Sequence, residues 1–299
     1  MGIPSKGNLS GKATGNLPRR QLGRYLRDLR QQTGLSIVQA SRAIGRGSGT
    51  LQRLETGEAN RIELDDIEAL CHLYDEPKML PALKGLAQQG NERSWWHEYG
   101  DLIPSYFNLY VGLEAAAQQL AIYRPDMVSG LFQTADYARA LDRAYFVHET
   151  ADEIERRVRL RIKRQSLIRR RFDPALVHLI LDEAVLRRVV GSPRVMADQL
   201  RYLADMPPNV TVQVLPSAAG FPLGISTGPF TILDFGLDKE GQPFEPTVIF
   251  VESYTGDMYL ERPDSVRRYR QAHTALQPVA LNVADSKHLL RRVAKEYAP

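Results

Sequence analysis

The stretch Leu29–Gly57, LRQQTGLSIVQASRAIGRGSGTLQRLETG, decides how the first third of this chain folds. Gly34 is a natural C-terminal cap for a preceding helix, because glycine accepts the left-handed backbone that ends one. Ser36 followed three residues later by Gln39 has the form of a capping box and starts a helix. That helix is expected to bury Ala40, Ala43 and Ile44 and to stop at Gly45. After a turn of Gly45, Arg46 and Gly47, a second short helix runs from Ser48 to Glu55, with Leu51 and Leu54 inward and Gly57 at its end. Two short helices joined by a glycine-containing turn form the helix-turn-helix geometry. Ala40 sits where a bulky side chain would push the pair apart. The second helix of such a pair enters the major groove with its N-terminal residues nearest the base edges.

Working outward, Leu22, Leu26 and Leu29, with Tyr25 beside them, fall on one helical face before this pair. Ile67, Leu70, Cys71 and Tyr74 stripe a helix after it, and Pro77 opens another with Leu80, Leu83 and Leu86 apolar. The sequence therefore predicts an all-α N-terminal domain of five helices over residues 18–88. Ser48, Thr50, Gln52 and Arg53 are the candidates for groove contacts. Gln and Arg suit that role because they pair bidentately with adenine and guanine edges. Arg46 in the turn and Gln39 at the start of the first helix of the pair are better placed for phosphates. Residues 1–61 hold 11 Lys and Arg against 3 Asp and Glu, whereas the whole chain is only +4, so the remainder is acidic by four. A basic head on a mildly acidic body suits polyanion binding. The run Gly45-Arg46-Gly47-Ser48-Gly49 is not read as a phosphate loop of a nucleotide enzyme. Such a loop follows a buried strand, and here an Ala-rich helix precedes it.

With Arg30, Ser36, Ala40, Gly45, Leu51, Glu55 and Gly57 in this order and spacing, the stretch resembles the Xre and phage-repressor type of helix-turn-helix. Gly47 and Gly49 depart from it, since such proteins often carry polar side chains there. Glycine weakens a helix start yet lets backbone approach a phosphate or a base.

The other 200-odd residues read differently. Residues 1–17 look like a flexible polar tail, 89–94 like a linker, and 95–299 like a second domain. Just after the linker comes an aromatic cluster that includes Trp95, Trp96, Tyr99 and Tyr106. It is expected either to pack a connecting helix or to form part of a recognition surface. Leu113–Tyr123 reads as helical, as does 151–172, which carries nine Lys and Arg between Arg156 and Arg171. Within the apolar stripe of the latter, Arg161 and Gln165 are expected to be partly buried and paired. The runs LVHLILDE, VTVQVLP, PFTILDF, TVIFVES and DMYLER read as strands, with helices around 195–203, 265–276 and 286–297. The expected fold of this part is α+β with a largely antiparallel sheet.

No apolar run approaches the length of a membrane helix, and one cysteine, Cys71, excludes an internal disulfide, which suits a reducing cytoplasm. The six histidines are scattered, and HExxH, Walker and nucleophile-elbow motifs are missing from the sequence, so an enzyme is not expected. Asp182 and Glu183 are read as caps for a following helix. No cofactor or metal is called for.

The phrases SGLFQTADYARAL, RIKRQ, LDEAVLRRVVG, VTVQVLP and FVESYTGDMYLE resemble an actinobacterial family of antitoxin-like, WhiJ-type regulators. These join an Xre-type head to a C-terminal domain of unknown function. Ser129 and Phe132 are small departures from it. The resemblance implies a DNA-binding regulator, often encoded beside a small partner protein of the BldB type, with no established catalysis. The reading is then a cytoplasmic, nucleoid-associated transcription regulator that binds double-stranded DNA as a homodimer and senses a partner or ligand through residues 95–299. The alternative is an antitoxin-like protein that sequesters the small partner and represses its own operon.

Overall fold

A computed structural model describes residues 17–59, 61–91, 99, 101–102, 105–171, 173–236, 243, 245–254 and 256–298. The tail expected at 1–17 falls outside them except for Leu17, as do Trp95 and Trp96. The chain divides into two compact units, Met1–Leu113 and Glu114–Pro299.

The first unit contains α1 (Leu17–Gln32), α2 (Ile37–Ala43), α3 (Ser48–Glu55), α4 (Leu64–Leu73) and α5 (Leu80–Asn91), the last preceded by a 3-10 turn at Pro77–Met79. Their apolar stripes meet in one core of Leu22, Leu26, Leu51, Ile67, Leu70 and Leu83, all nearly inaccessible. Ala40 is fully buried as expected, but Ala43 is exposed and Ile44 only half-buried, since α2 turns a single narrow face inward. Tyr25 is exposed beside the α1 stripe. One determinant went unread in the sequence. A Cβ on Gly23 would lie 2.6 Å from the carbonyl oxygens of both Leu54 and Glu55, so only glycine lets α1 cross the end of α3 this closely.

Residues 89–91, expected in a linker, instead continue α5. Asn91 clamps the backbone of Ile62, accepting from its N–H at 2.9 Å and donating to its carbonyl at 2.7 Å. Gly90 lies where a Cβ would meet Arg19 at 2.9 Å and Ile62 at 3.0 Å. These tertiary contacts extend a helix that composition alone would end. Residues 92–94 of the expected linker lie outside the described residues.

Helix α6 (Ser105–Ala116) leads into the second unit. Beyond it, Gln119–Arg124 is a strand, β1, and not the continuation of a helix that the Ala-rich run suggested. QLAIYR is short and apolar, and periodicity cannot separate a short buried strand from a helix. There follow α7 (Ala135–Tyr145), α8 (Ala151–Arg164), α9 (Ser166–Arg169), β2 (Leu176–Asp182), α10 (Glu183–Arg187), α11 (Pro193–Ala204), β3 (Val210–Leu215), β4 (Phe230–Asp234), β5 (Val248–Val251), β6 (Met258–Leu260), α12 (Pro263–Leu276) and α13 (Val283–Glu296). The five strands read from the sequence are all present. The six form one sheet in the order β3-β2-β1-β4-β5-β6. β1 pairs parallel with β2, and β2 parallel with β3, while the other three pairings are antiparallel, so the sheet is mixed. Long helical crossovers between β1, β2 and β3 impose the parallel half.

Burial on both faces is the mark of parallel strands covered on each side. Ile122 and Tyr123 are successive residues on opposite faces, and both are buried. Tyr123, Ile180, Phe230, Ile232 and Ile249 form one face, over which Ala272 and Leu276 of α12 pack. The outer edge of β3 is tied to the segment before and into α13: Leu281 donates to the Val214 carbonyl at 2.9 Å, and Val214 N–H donates to Ser286 Oγ at 3.0 Å. From the sheet order, the β3–β4 connection (216–229) must pass over the carboxyl ends of β2 and β1.

Candidate nucleic-acid interface

The helix pair is set by local chemistry first. Ser36 Oγ accepts from Gln39 N–H at 3.3 Å, and Gln39 Oε1 accepts from Ser36 N–H at 2.9 Å, completing the capping box. Gly34, Gly45 and Gly57 all have positive φ, where a side chain would strain the backbone. Beneath the pair, Arg30 and Glu55 form a buried bidentate ion pair with N···O distances of 2.6 and 2.8 Å. Arg30 also donates to the Leu35 carbonyl at 2.8 Å, just before α2, so one guanidinium ties α1, the end of α3 and the entry to α2. The carboxylate holds the Arg30 proton more firmly than usual. Tyr74 lies near this pair, its phenol pushed up by burial first and by Glu55 next. Cys71 is a buried thiol whose ionisation is pushed up by desolvation, in keeping with a packing role.

Above this frame, residues 45–50 form one continuous exposed run that ends in the first turn of α3. Gly47 is the N-cap of α3 and supplies no side-chain cap. Thr50 N–H donates to the Gly47 carbonyl at 2.9 Å, so among the described residues the N–H groups of Ser48 and Gly49 are left for an outside acceptor, and the positive end of the helix dipole points the same way. Ser48, Thr50, Gln52 and Arg53 are all exposed on α3, on the side away from the buried Leu51 and Leu54. The structure therefore groups these four sequence candidates on one solvent-facing surface. The Arg53 guanidinium lies back along the helix, 3.6 Å from where a Gly49 Cβ would sit.

The two phosphate candidates stand differently. Gln39 is exposed, but its carbonyl is already used by the capping box. Arg46 is exposed too, yet its Nε donates to Asp66 Oδ1 at 2.8 Å. Its guanidinium is therefore oriented by α4 and carries less free charge than the sequence suggested. Arg42, at the end of α2, was missed. It is exposed, and among the described residues neither it nor Arg53 is held by a carboxylate. Its position on the polar side of a short helix was the available signal.

The aromatic residues singled out in the sequence fall within the first unit, and most of them lie outside what is described. Trp95 and Trp96 lie outside the described residues, as does the side chain of Tyr106. Tyr99 is half-buried, and its carbonyl accepts from Leu102 N–H at 2.9 Å. The basic helix α8 is more informative. Arg161 donates to Asp142 at 3.0 Å, and Arg164 forms a buried bidentate pair with Glu114 at 2.7 and 2.8 Å. Arg157 pairs with Glu149, and Glu155 of α8 receives Arg139 of α7. Gln165 donates to the Gln133 carbonyl at 2.6 Å and accepts from Tyr202 at 2.7 Å. Arg161, half-buried, and Gln165, buried, are both paired, as expected of them within the apolar stripe. Asp182 caps α10 through the Ala184 N–H at 2.8 Å, and Glu183 accepts from Ser217 N–H at 2.9 Å.

A histidine pair completes the polar interior. His178 and His273 meet edge to face, with ring centroids 4.8 Å apart. Gln213 Nε2 donates to the Leu281 carbonyl, so its Oε1 must accept from His178 Nε2 at 2.6 Å. Gln277 Nε2 then donates to His178 Nδ1 at 2.9 Å, which fixes a neutral tautomer. Burial, reinforced by His178 and Arg270, pushes His273 down to about 4. Among the described residues no group of three His, Cys, Asp or Glu is arranged to hold a metal ion, and no helix is long and apolar enough to cross a membrane.

Residues 21–80 match the profile of a helix-turn-helix domain, and residues 107–292 match that of the domain of unknown function DUF5753. No curated protein and no solved structure matches the chain. Because the second match spans more than half of the sequence, this chain belongs to the DUF5753 family, with a helix-turn-helix domain preceding the family's domain.

Proposed function

We propose that the chain is a sequence-specific, DNA-binding transcription regulator that places the N-terminus of α3 in the major groove of duplex DNA. The observation that carries this reading is the exposed run 45–50, ending in a helix start that only backbone caps. Ser48, Thr50, Gln52 and Arg53 face the base edges in this arrangement. Arg42, Gln39 and Arg46 flank them toward the phosphates, with Arg46 held in place by Asp66. A single head of this size reads only a few base pairs, too few to select one site among the roughly 10⁶ or more that compete in a genome. The working species is therefore a homodimer, with half-sites about 34 Å or a multiple apart. The C-terminal domain holds it together and receives a signal, either a small protein partner or a ligand.

The test is binding of the full chain to duplexes from around its own gene, followed by fluorescence anisotropy over a salt series. Log affinity should fall linearly with log salt as phosphates are neutralised, and protected half-sites should be spaced by whole helical turns. Failure to bind any such duplex at low salt would sink the proposal. A full-length monomer on DNA would sink the dimer alone.

A further inference from the structure

Where α7 meets the segment leading into α11, the second unit carries charge that the fold does not match. A Cβ on Gly191 would lie 3.0 Å from that of Ala140, so the backbone at Gly191 rests directly on α7. Seven charged residues stand within four positions of this contact on the two segments. Four of them are spent in ion pairs: Arg139 holds Asp136 and, on α8, Glu155; Arg161 holds Asp142; and Arg187 reaches Glu296 of α13. The other three, Arg143, Arg188 and Arg194, are exposed and meet no carboxylate among the described residues. Each stands three residues from the contact, so its Cα lies within about 10 Å of it. The flanks do not cancel this charge. Asp198 of α11 is held by Arg201, and α8 adds one unheld group of each sign among the described residues, Asp152 and Arg159.

Apolar surface lies among these arginines. Val189, next to Arg188, is 53% exposed, and Ala144 and Pro193 are exposed beside Arg143 and Arg194. At the end of α7, Tyr145 is 68% and Val147 69% exposed. That turn is held in place: Tyr145 stands edge-on to Phe146 with ring centroids 4.8 Å apart, and Arg157 stacks over Phe146 at 3.8 Å while pairing with Glu149. Arginines set among exposed aromatic and aliphatic side chains have the composition of a protein interface. A phosphate backbone would satisfy the arginines but leave Val189, Tyr145 and Val147 against a polar strand. The α3 surface proposed for DNA is built differently, from Ser48, Thr50, Gln52 and Arg53 with no large apolar group. A second copy in a two-fold contact would set the three arginines against themselves.

We infer that α7 and residues 188–194 form a docking surface for a separate protein that presents carboxylates around an apolar stripe. Arg143 and Arg194 supply its charge, and Val189 its apolar centre. The inference rests on the reading of the second domain as the receiving element, and it locates that element away from residues 95–106.

The experiment uses the full chain with a photo-crosslinking phenylalanine analogue at position 189, irradiated in lysate of the source organism. The expected product joins the chain to one acidic protein and is lost in an Arg143→Ala, Arg194→Ala double variant. That protein, once purified, should bind the double variant roughly tenfold or more weakly than the native chain, and the gap should narrow as salt rises. Arg268→Ala removes an exposed arginine of α12 that likewise meets no carboxylate among the described residues, and it should leave the affinity unchanged. Circular dichroism checks that the variants fold, and the double variant should bind duplexes as the native chain does. Crosslinks only to a second copy, to the chain's own first unit or to a basic protein would overturn the inference. So would no crosslink at all, equal affinity of the purified protein for the double variant, or an equal loss in Arg268→Ala. A fall in duplex affinity in the double variant would assign the arginines to DNA and overturn it too. Because duplex binding is read separately, failure of the native chain to bind DNA rejects the regulator reading and leaves the docking surface standing.

Discussion

The two basic stretches of this chain, the helix pair of the first unit and α8 of the second, look alike in composition and behave in opposite ways. Around the helix pair, Arg30 of α1 is buried on Glu55 and exposed Arg46 is steered by Asp66, while Arg42 and Arg53 face solvent with no carboxylate partner among the described residues. In α8, Arg157, Arg161 and Arg164 all meet carboxylates, and two of those carboxylates, Asp142 and Glu114, are buried. A run of cations thus says little until its partners are known. Unpaired and exposed it is a field for an anion; paired with buried carboxylates it is part of the interior.

The largest effect that would test this contrast is on stability. Glu114→Ala leaves Arg164 buried without its partner and should cost about 3–5 kcal/mol, read as a lower denaturant midpoint at unchanged slope. Replacing both residues by Leu should recover much of that loss. If Glu114→Ala is neutral, α8 is a solvated face after all.

Acid should separate the two units next. The fold holds His273 at about 4, below the ordinary imidazole value of 6.5. The unfolded chain therefore takes up the proton first as pH falls. Stability from this group is complete above about 6.5 and is lost as pH drops toward 4, by on the order of 1–3 kcal/mol. The groups that face it are His178 and Arg270, neither of which would welcome a new positive charge. Urea unfolding at pH 7 and pH 4.5 should show a difference that His273→Phe reduces. An unchanged difference in that variant would assign the acid response elsewhere.

On DNA the order of effects reverses. Arg53→Ala should cost roughly 1–3 kcal/mol and relax preference at one base pair. Arg42→Ala should weaken all duplexes about equally and shallow the salt slope by nearly one unit. Uniform weakening by Arg53→Ala would move that residue to the phosphates. The smallest expected effect is that of Arg157→Gln in α8, which should leave duplex affinity unchanged because its charge is already matched by Glu149. A clear loss there would make α8 a second DNA surface and erase the comparison.

Legibility followed the range of the interactions. The capping box of Ser36 and Gln39, the glycines at 34, 45 and 57 and the core stripe of α4 were readable because each works within a few residues of itself. β2 to β6 were readable as short runs rich in β-branched and aromatic residues between Gly and Pro. β1 was not, since QLAIYR becomes a strand only by lying between β2 and β4. The linker was misread at residues 89–91 for a similar reason: Asn91 keeps α5 helical by binding Ile62, 29 residues away.

The same division holds for the candidate sites. By itself the sequence determined the helix-turn-helix pair, the four outward candidates Ser48, Thr50, Gln52 and Arg53, and the change to an α+β second domain, because caps, turns and periodicity are local. Only the tertiary structure decided that Arg46 is steered by Asp66, that Gly23 must be glycine and that Arg157, Arg161 and Arg164 of α8 meet carboxylates. Each of these depends on which distant segment a side chain meets, and burial and topology, not spacing along the chain, make that choice.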